Sequence, residues 1–120
     1  MTRYLFRNPD FPVLIETDQG IYGAEDTTTL FKFIEKATFN ENKEYLVITG
    51  AGKEWHYFPD YDIVQPFMIN KIVSKKRIIG IVNDDLARRG IEAQYISGSL
   101  AHKQVKTVME ELVAFLKRHS

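Results

Sequence analysis

Two short runs of apolar residues with no polar interruption constrain the fold of this chain more than any other feature. They lie at residues 45–48 and 78–82. A strand with one face in water alternates polar and apolar residues, whereas a strand covered on both faces does not. Both runs therefore predict central strands of one sheet, with helices packed against each face of it.

Hydrophobic spacing and turn residues predict the elements around these two strands. Apolar residues three and four apart follow Asp26, which is placed to cap an amphipathic helix. Proline is tolerated only in the first turn of a helix, so a second helix is predicted to begin near Pro66. The predicted order is strands at 3–6, 12–16 and 21–23, a helix at 26–39, a strand at 45–48, a long loop at 49–61, a helix from near 66 that the basic residues at 75–77 close, a strand at 78–82, an edge strand at 91–95 and a terminal helix from Ala101.

This alternation of strands and helices predicts a single α/β domain over residues 1–120. Parallel strands joined by right-handed crossovers suit the order. We therefore expect a mixed, mostly parallel sheet of five to six strands with helices packed on it. A chain of 120 residues has the length of one domain, and its 44% of hydrophobic residues is enough for a packed core.

Composition and charge exclude several classes of protein. The chain has no cysteine, which excludes a disulfide framework, a thiolate zinc site and a cysteine nucleophile, and fits a reducing cytoplasm. No stretch reaches the roughly 18 apolar residues of a membrane span, and the first residues do not form a signal peptide. We therefore expect a cytoplasmic protein. Sixteen basic residues balance sixteen acidic ones, which disfavours binding to nucleic acid.

The order of elements resembles the STAS and SpoIIAA-like domains, which include the anti-sigma-factor antagonists. The resemblance spans about the whole chain and rests on the helix at 26–39, the strands at 45–49 and 76–82, and a terminal helix entered through residues 92–95. It implies a STAS-like sheet and a non-enzymatic domain that binds a protein partner or a small ligand. Antagonists of this family carry a phosphorylatable Ser or Thr after the buried strand, whereas residues 50–61 contain neither.

The segment after the first buried strand is the leading candidate for a binding site, because ligands of open α/β sheets lie at the carboxyl ends of central strands. Its glycines could cradle a phosphate, but Glu54 stands where a P-loop needs Ser or Thr, so a plain turn is the alternative. Its aromatic residues could anchor a partner or fold back as a small core. Two aspartates after the second predicted strand could share this surface or cap a turn. The candidate binding residues are Gly50, Gly52, Lys53, Trp55, His56, Tyr57, Asp84 and Asp85.

A metal-dependent phosphodiesterase or nuclease is the alternative function. The residues that suit a divalent cation through imidazole and carboxylate groups are His56, Asp60, Asp62 and Glu92. Pro59-Asp60 with Glu92-Ala93-Gln94 also resembles the core of the PD-(D/E)xK nucleases, with Gln94 in place of the lysine. The leading interpretation is a regulatory or binding domain without catalysis, cofactor or metal. An alternating edge strand at 91–96 could pair two copies into a homodimer.

Overall fold

The computed structural model describes residues 1–67 and 71–119, in which three α-helices pack on one six-stranded sheet. The strands are β1 (Arg3–Tyr4), β2 (Val13–Thr17), β3 (Gly20–Ala24), β4 (Tyr45–Ile48), β5 (Glu54–Phe58) and β6 (Ile63–Pro66). The helices are α1 (Thr27–Lys36), α2 (Lys75–Arg88) and α3 (Val105–Arg118), and a single 3₁₀ turn (Leu100–His102) precedes α3. None of the helices described is long and apolar enough to cross a membrane.

The sheet is mixed but mostly antiparallel, with the strands in the order β1-β6-β5-β4-β2-β3. Among the described strands only β1 and β6 pair in parallel, and the other neighbouring pairs are antiparallel. The α/β class and a mixed sheet with a strand number in the expected range of five to six are confirmed, although two of the six strands are not the predicted ones. The expectation of a mostly parallel sheet is wrong, because β4, β5 and β6 follow one another as hairpins, and hairpins join antiparallel strands.

Helices cover both faces of the sheet at β4, as its uninterrupted apolar run predicts. Tyr45 and Val47 lie in the core beneath α1. Ile48 points to the opposite face and lies in a second core beneath α2 and α3, where Leu46 also packs. The sheet is therefore the middle layer of three, with α1 on one face and α2 and α3 on the other.

The region from β2 to α1 follows the sequence prediction closely. Asp26 caps α1, and its carboxylate accepts a hydrogen bond from the backbone N–H of Thr29 at 2.8 Å. The hairpin between β2 and β3 pairs Thr17 with Gly20, which has a φ of 144°. That angle is open to glycine because it lacks a Cβ atom. Local turn and cap chemistry therefore specifies this part of the fold.

Residues 78–82, which we predicted as the second central strand, lie inside helix α2. The side chain of Ser74 caps this helix by accepting a hydrogen bond from the N–H of Arg77 at 3.2 Å. Ile78, Val82 and Leu86 are buried at intervals of four residues, the spacing of one helix face. A short apolar run fits either a buried strand or a buried helical turn, and its continuation to Leu86 selects the helix.

The change from strand to helix affects two further expectations. The basic residues at 75–77 begin a helix instead of ending one. The strand at 76–82, on which the resemblance to STAS domains partly depends, is helical. The helix at the chain's end is present, but it begins at Val105 and not at Ala101, because the 3₁₀ turn stands between them.

Two other predicted elements are also wrong. The predicted loop at 49–61 contains strand β5. Pro66, near which a helix was predicted to begin, is instead the last residue of strand β6 and pairs opposite Trp55. Proline is tolerated there because the end of a strand does not need every N–H for the ladder. Residues 68–70 of the predicted helix lie outside the described residues.

The segment at 91–96 forms neither strand nor helix in the described structure. Its backbone bonds instead to one side chain of α2. The amide of Asn83 donates to the carbonyl of Tyr95 at 2.9 Å and accepts from the N–H of Tyr95 at 2.8 Å. The edge strand predicted here, and with it the suggested strand pairing in a homodimer, therefore has no counterpart in the fold.

Candidate functional site

The predicted glycine loop is a tight turn between the antiparallel strands β4 and β5. The N–H of Gly50 donates to the carbonyl of Asp10 at 2.6 Å, and the N–H of Gly52 donates to the carbonyl of Thr49 at 2.8 Å. A Cβ atom at Gly50 would lie 2.6 Å from the carbonyl oxygen of Phe11, and Gly52 has a φ of 75°. Close backbone packing therefore explains both glycines, and their N–H groups are used within the protein.

The aromatic residues of the predicted surface lie in the core. Trp55 is 2% exposed and Tyr57 is 4% exposed, and both belong to the core beneath α1. Arg7 lies over the Trp55 ring, 5.6 Å from its centroid. Lys53 forms an isolated bridge with Ile72 just before β5. An exposed aromatic anchor at 55 and 57 is therefore not available to a partner.

His56 points to the opposite face of β5, because neighbouring residues of a strand face opposite sides. Its Nδ1 lies 2.8 Å from a carboxylate oxygen of Glu44, and its Nε2 lies 2.8 Å from one of Glu54. The imidazole also packs on the ring of Phe67, with 4.6 Å between centroids. This cluster joins β5 to the residue before β4 and has the form of a structural hydrogen-bond network.

Asp84 and Asp85 lie near the end of α2 in different surroundings. Asp84 is exposed, whereas Asp85 is 1% exposed. The Asp85 carboxylate accepts from the backbone N–H of Ile21 at 3.0 Å, and pairs with Arg88 at 2.6 Å and Arg89 at 2.9 Å. Asp85 therefore holds α2 against the edge strand β3.

The four residues of the metal-site alternative are not brought together. His56 bonds to carboxylates on one face of the sheet, while Asp62 bonds to Tyr57 on the face that carries α1. Asp60 and Glu92 are exposed. Across residues 1–67 and 71–119, no three His, Asp or Glu side chains are placed to hold one metal ion.

A cavity of about 610 Å³ lies between α1 and the turn that joins β5 to β6. This volume falls within the range of roughly 300–1,000 Å³ that is typical of small-molecule sites. Its walls combine aromatic and aliphatic side chains with hydroxyl and carboxylate groups. The residues that line it include Thr2, Phe31, Ile34, Glu35, Tyr57 and Asp62. It lies at the opposite end of β5 from the predicted glycine loop.

The turn between β5 and β6 places Asp62 at this cavity. The N–H of Tyr61 donates to the carbonyl of Phe58, and the N–H of Asp62 donates to the carbonyl of Pro59, each at 3.2 Å. Asp62 has a left-handed φ of 54°. Aspartate adopts this conformation more readily than most residues because its short side chain can bond locally. The carboxylate thus turns back toward Tyr57.

The Asp62 carboxylate is held in its charged form. Its Oδ1 accepts from the hydroxyl of Thr2 at 2.7 Å and from that of Tyr57 at 2.8 Å, and its Oδ2 lies 3.4 Å from the α-amino group of Met1. Burial opposes ionisation, but these hydrogen bonds and the nearby ammonium outweigh it and keep the pKa of Asp62 below its usual value. Burial, together with the hydrogen bond to Asp62, raises the pKa of Tyr57. The cavity therefore contains a carboxylate beside a neutral phenol.

The chain matches no family model, no curated protein and no solved structure. The resemblance to STAS domains therefore remains a hypothesis.

Sequence reasoning identified part of this cavity and missed the rest. Tyr57 is among the predicted binding residues, and Asp62 among those of the metal alternative. Thr2, Phe31 and Glu35 were not singled out, because they come from the first residues and from α1, and only the sheet order brings them beside β5. No spacing pattern in the sequence indicates that these residues lie together in the fold.

Proposed function

We propose that this chain is a binding domain without catalytic chemistry of its own, and that the Asp62 cavity takes a small organic cation. A protonated primary amine with a short alkyl or arylalkyl group is the class of ligand that fits. The observation that carries the proposal is the carboxylate of Asp62 at an aromatic-walled cavity of about 610 Å³.

The carboxylate supplies the polar contact. Both hydroxyl donors bond to Oδ1, which leaves Oδ2 directed at the Met1 ammonium 3.4 Å away. A ligand ammonium would bind here by displacing the Met1 ammonium, which belongs to a fully exposed residue. A charge-assisted hydrogen bond between an ammonium and a carboxylate is about twice as strong as a neutral one.

The walls supply the remaining selectivity. Phe31 and Tyr57 contribute aromatic side chains to the lining, and Ile34 contributes aliphatic surface for the hydrocarbon part of a ligand. Glu35 adds a second carboxylate at the exposed side of the cavity. The lining residues include the carboxylates of Asp62 and Glu35 and one ammonium, that of Met1, which leaves an excess of one negative charge and favours a cation over an anion.

The state of Tyr57 supports binding and not proton transfer. A general acid or base works best when its pKa is close to the ambient pH. The raised pKa of Tyr57 moves the phenol away from that range, and its proton is already donated to Asp62. The pair is therefore suited to fixing the position of a ligand.

The test compares amines with neutral molecules of the same shape. Millimolar phenethylammonium should raise the melting midpoint and give saturable NMR shifts in the amides of α1 and of the β5–β6 turn, because a ligand that binds only the folded state stabilises it. The matching alcohol, 2-phenylethanol, should not. Asp62→Asn should remove the response to the amine. Asp60→Asn, which removes the same charge from an exposed position of the same turn, should keep it.

Two results would contradict the proposal. The first is an equal response to the amine and to the alcohol, which would leave no role for the carboxylate. The second is an unchanged response in a folded Asp62→Asn variant, which would place amine binding elsewhere.

A further inference from the structure

A second cavity lies on the other face of the sheet, between the edge strand β3 and the ends of α2 and α3. Its volume is about 140 Å³. For comparison, an engineered protein cavity of roughly 150 Å³ accommodates benzene, a ligand of six heavy atoms. The residues that line it include Ile21, Gly23, Arg89, Val113 and Leu116. α1 and the Asp62 cavity lie on the opposite face, so the two cavities can be tested separately.

The guanidinium of Arg89 is the main polar group of this cavity and has an unused donor. One of its terminal nitrogens pairs with Asp85 at 2.9 Å. Its Nε is buried and has no hydrogen-bond partner among the described residues. The side chain lies against Gly20, where a Cβ atom would come within 2.7 Å of that Nε. This Nε is enclosed by the chain, so a ligand in the cavity would contact the terminal nitrogens of the guanidinium instead.

The charges around Arg89 do not balance. Asp85 contributes one negative charge, and Arg88 and Arg89 contribute two positive ones, which leaves an excess of one positive charge. At the rim, Lys117 pairs with Glu25. The carbonyl end of α2 offsets part of the excess. The cavity therefore suits a monoanion better than a phosphate.

The backbone of β3 adds a hydrogen-bond donor on the side of the strand that faces away from β2. β3 is at the edge of the sheet and pairs only with β2 among the described strands. The N–H of Ile21 points away from β2, toward Asp85. Residues two apart on a strand direct their backbone groups to the same side, so the N–H of Gly23 also faces away from β2. The apolar side chains of Val113 and Leu116 complete the walls.

We propose that this cavity binds a short-chain carboxylate, with the carboxylate on the Arg89 guanidinium and the alkyl chain against Val113 and Leu116. The apolar wall disfavours inorganic phosphate, and the cavity volume limits the ligand to the size of butyrate.

The test is a titration followed by ¹H–¹⁵N NMR, which detects the Nε–H of arginine directly. Sodium butyrate at constant ionic strength should give saturable shifts in the Arg89 Nε–H and the Gly23 amide. Butyramide, which has the same shape without the charge, and inorganic phosphate should leave both resonances unchanged. Arg89→Gln should weaken butyrate binding by at least ~10-fold, as expected when a charge-assisted contact is lost.

Arg88→Gln is the matched control. It removes the same charge from the same carboxylate partner, but Arg88 is 72% exposed and does not line the cavity. This variant removes the excess positive charge but keeps the guanidinium that would contact the ligand, so it should weaken butyrate binding by less than the ~10-fold expected of Arg89→Gln. If Arg89→Gln does not fold, Leu116→Phe, which fills the cavity and keeps Arg89, should abolish binding instead. Equal shifts with butyramide would overturn the proposal. Full butyrate binding in a folded Arg89→Gln or Leu116→Phe variant would also overturn it.

Discussion

The carboxylate of Asp85 accepts a hydrogen bond from the backbone N–H of Ile21 at 3.0 Å, although 64 positions separate these residues in the chain. Ile21 lies on the edge strand β3, and its N–H would otherwise be open to pairing with another strand. Helix α2 thus satisfies an outward-facing donor of the sheet. Covering an edge in this way protects a β-sheet against association with other chains.

We predict that Asp85→Asn lowers the free energy of unfolding by about 2 kcal/mol, the value expected for hydrogen bonds to a charged group. The loss should be smaller than for a fully buried ion pair, because Arg88 is 72% exposed and Arg89 is 23% exposed, so water can solvate both. Urea denaturation measures the change. Asp84→Asn removes the same charge from the exposed neighbour and should change stability by less than about 0.5 kcal/mol. Equal effects of the two substitutions would contradict a special role for Asp85.

Two glycines give a test of the helix that replaced the predicted strand. Gly80 lies inside α2, and a Cβ atom there would meet nothing within 4 Å. Gly80→Ala should therefore stabilise the protein by about 0.5–1 kcal/mol, the difference between glycine and alanine in a helix. If residue 80 were in a central strand against a helix layer, added volume would be expected to destabilise instead.

Gly23→Ala should have the opposite effect. β3 packs so closely on α3 that a Cβ atom at Gly23 would lie 2.7 Å from Cγ2 of Val113. Overpacking of this kind costs about 1–3 kcal/mol. Chemical denaturation of the two alanine variants against the wild type measures both changes. A stabilising Gly23→Ala would mean that α3 is not seated on β3 as described.

The difference between the predicted and the observed fold comes from two ambiguous segments. Residues 78–82 are apolar in a way that fits strand or helix, and only the continuation to Leu86 and the cap at Ser74 separate them. In β5, Glu54, Trp55, His56 and Tyr57 alternate polar and apolar, but the glycines before them and the proline after them favour a loop interpretation. With part of helix α2 taken as a strand and strand β5 taken as a loop, the parallel topology followed.

The elements that the sequence predicted correctly are those determined by residues close together in the chain. The Asp26 cap, the Gly20 hairpin and the uninterrupted run of β4 each depend on residues a few positions apart. The Asp62 cavity does not, because it is formed where the first residues, α1 and the β5–β6 turn meet. A carboxylate and aromatic residues close together in the sequence were visible, but the face of the sheet on which each lies was not.

Trp55→Ala should destabilise the protein by about 3–5 kcal/mol, the usual cost of removing a large buried aromatic side chain. Trp55 is 2% exposed, whereas Tyr61 is 72% exposed. Tyr61→Ala should therefore change stability by less than about 0.5 kcal/mol. Melting followed by circular dichroism measures both, and Trp55→Phe, which leaves a smaller void, should fall between them. A Trp55→Ala variant as stable as the wild type would show the ring to be exposed.

The charge on Asp62 should make stability depend on pH in a defined direction. The pKa of Asp62 is lower in the folded protein than the value near ~3.9 expected for an unfolded chain. The unfolded state therefore binds the proton first, and the stabilisation is fully present above that value and is lost as the pH falls through the folded pKa. The effect is screened by solvent, because the Asp62 side chain is 34% exposed.

Asp62→Asn isolates this contribution, because asparagine tolerates the same left-handed backbone and keeps an oxygen that can accept from Thr2 and Tyr57. We predict that wild type exceeds Asp62→Asn in free energy of unfolding at pH 6, and that the difference shrinks as the pH is lowered below ~4, where the unfolded carboxyl takes up its proton. Urea denaturation of both proteins across this range measures it. The other acidic groups titrate in both proteins and cancel in the difference. A gap that is constant from pH 6 down to acid denaturation would show that the carboxylate of Asp62 gains nothing from its neighbours in the folded state.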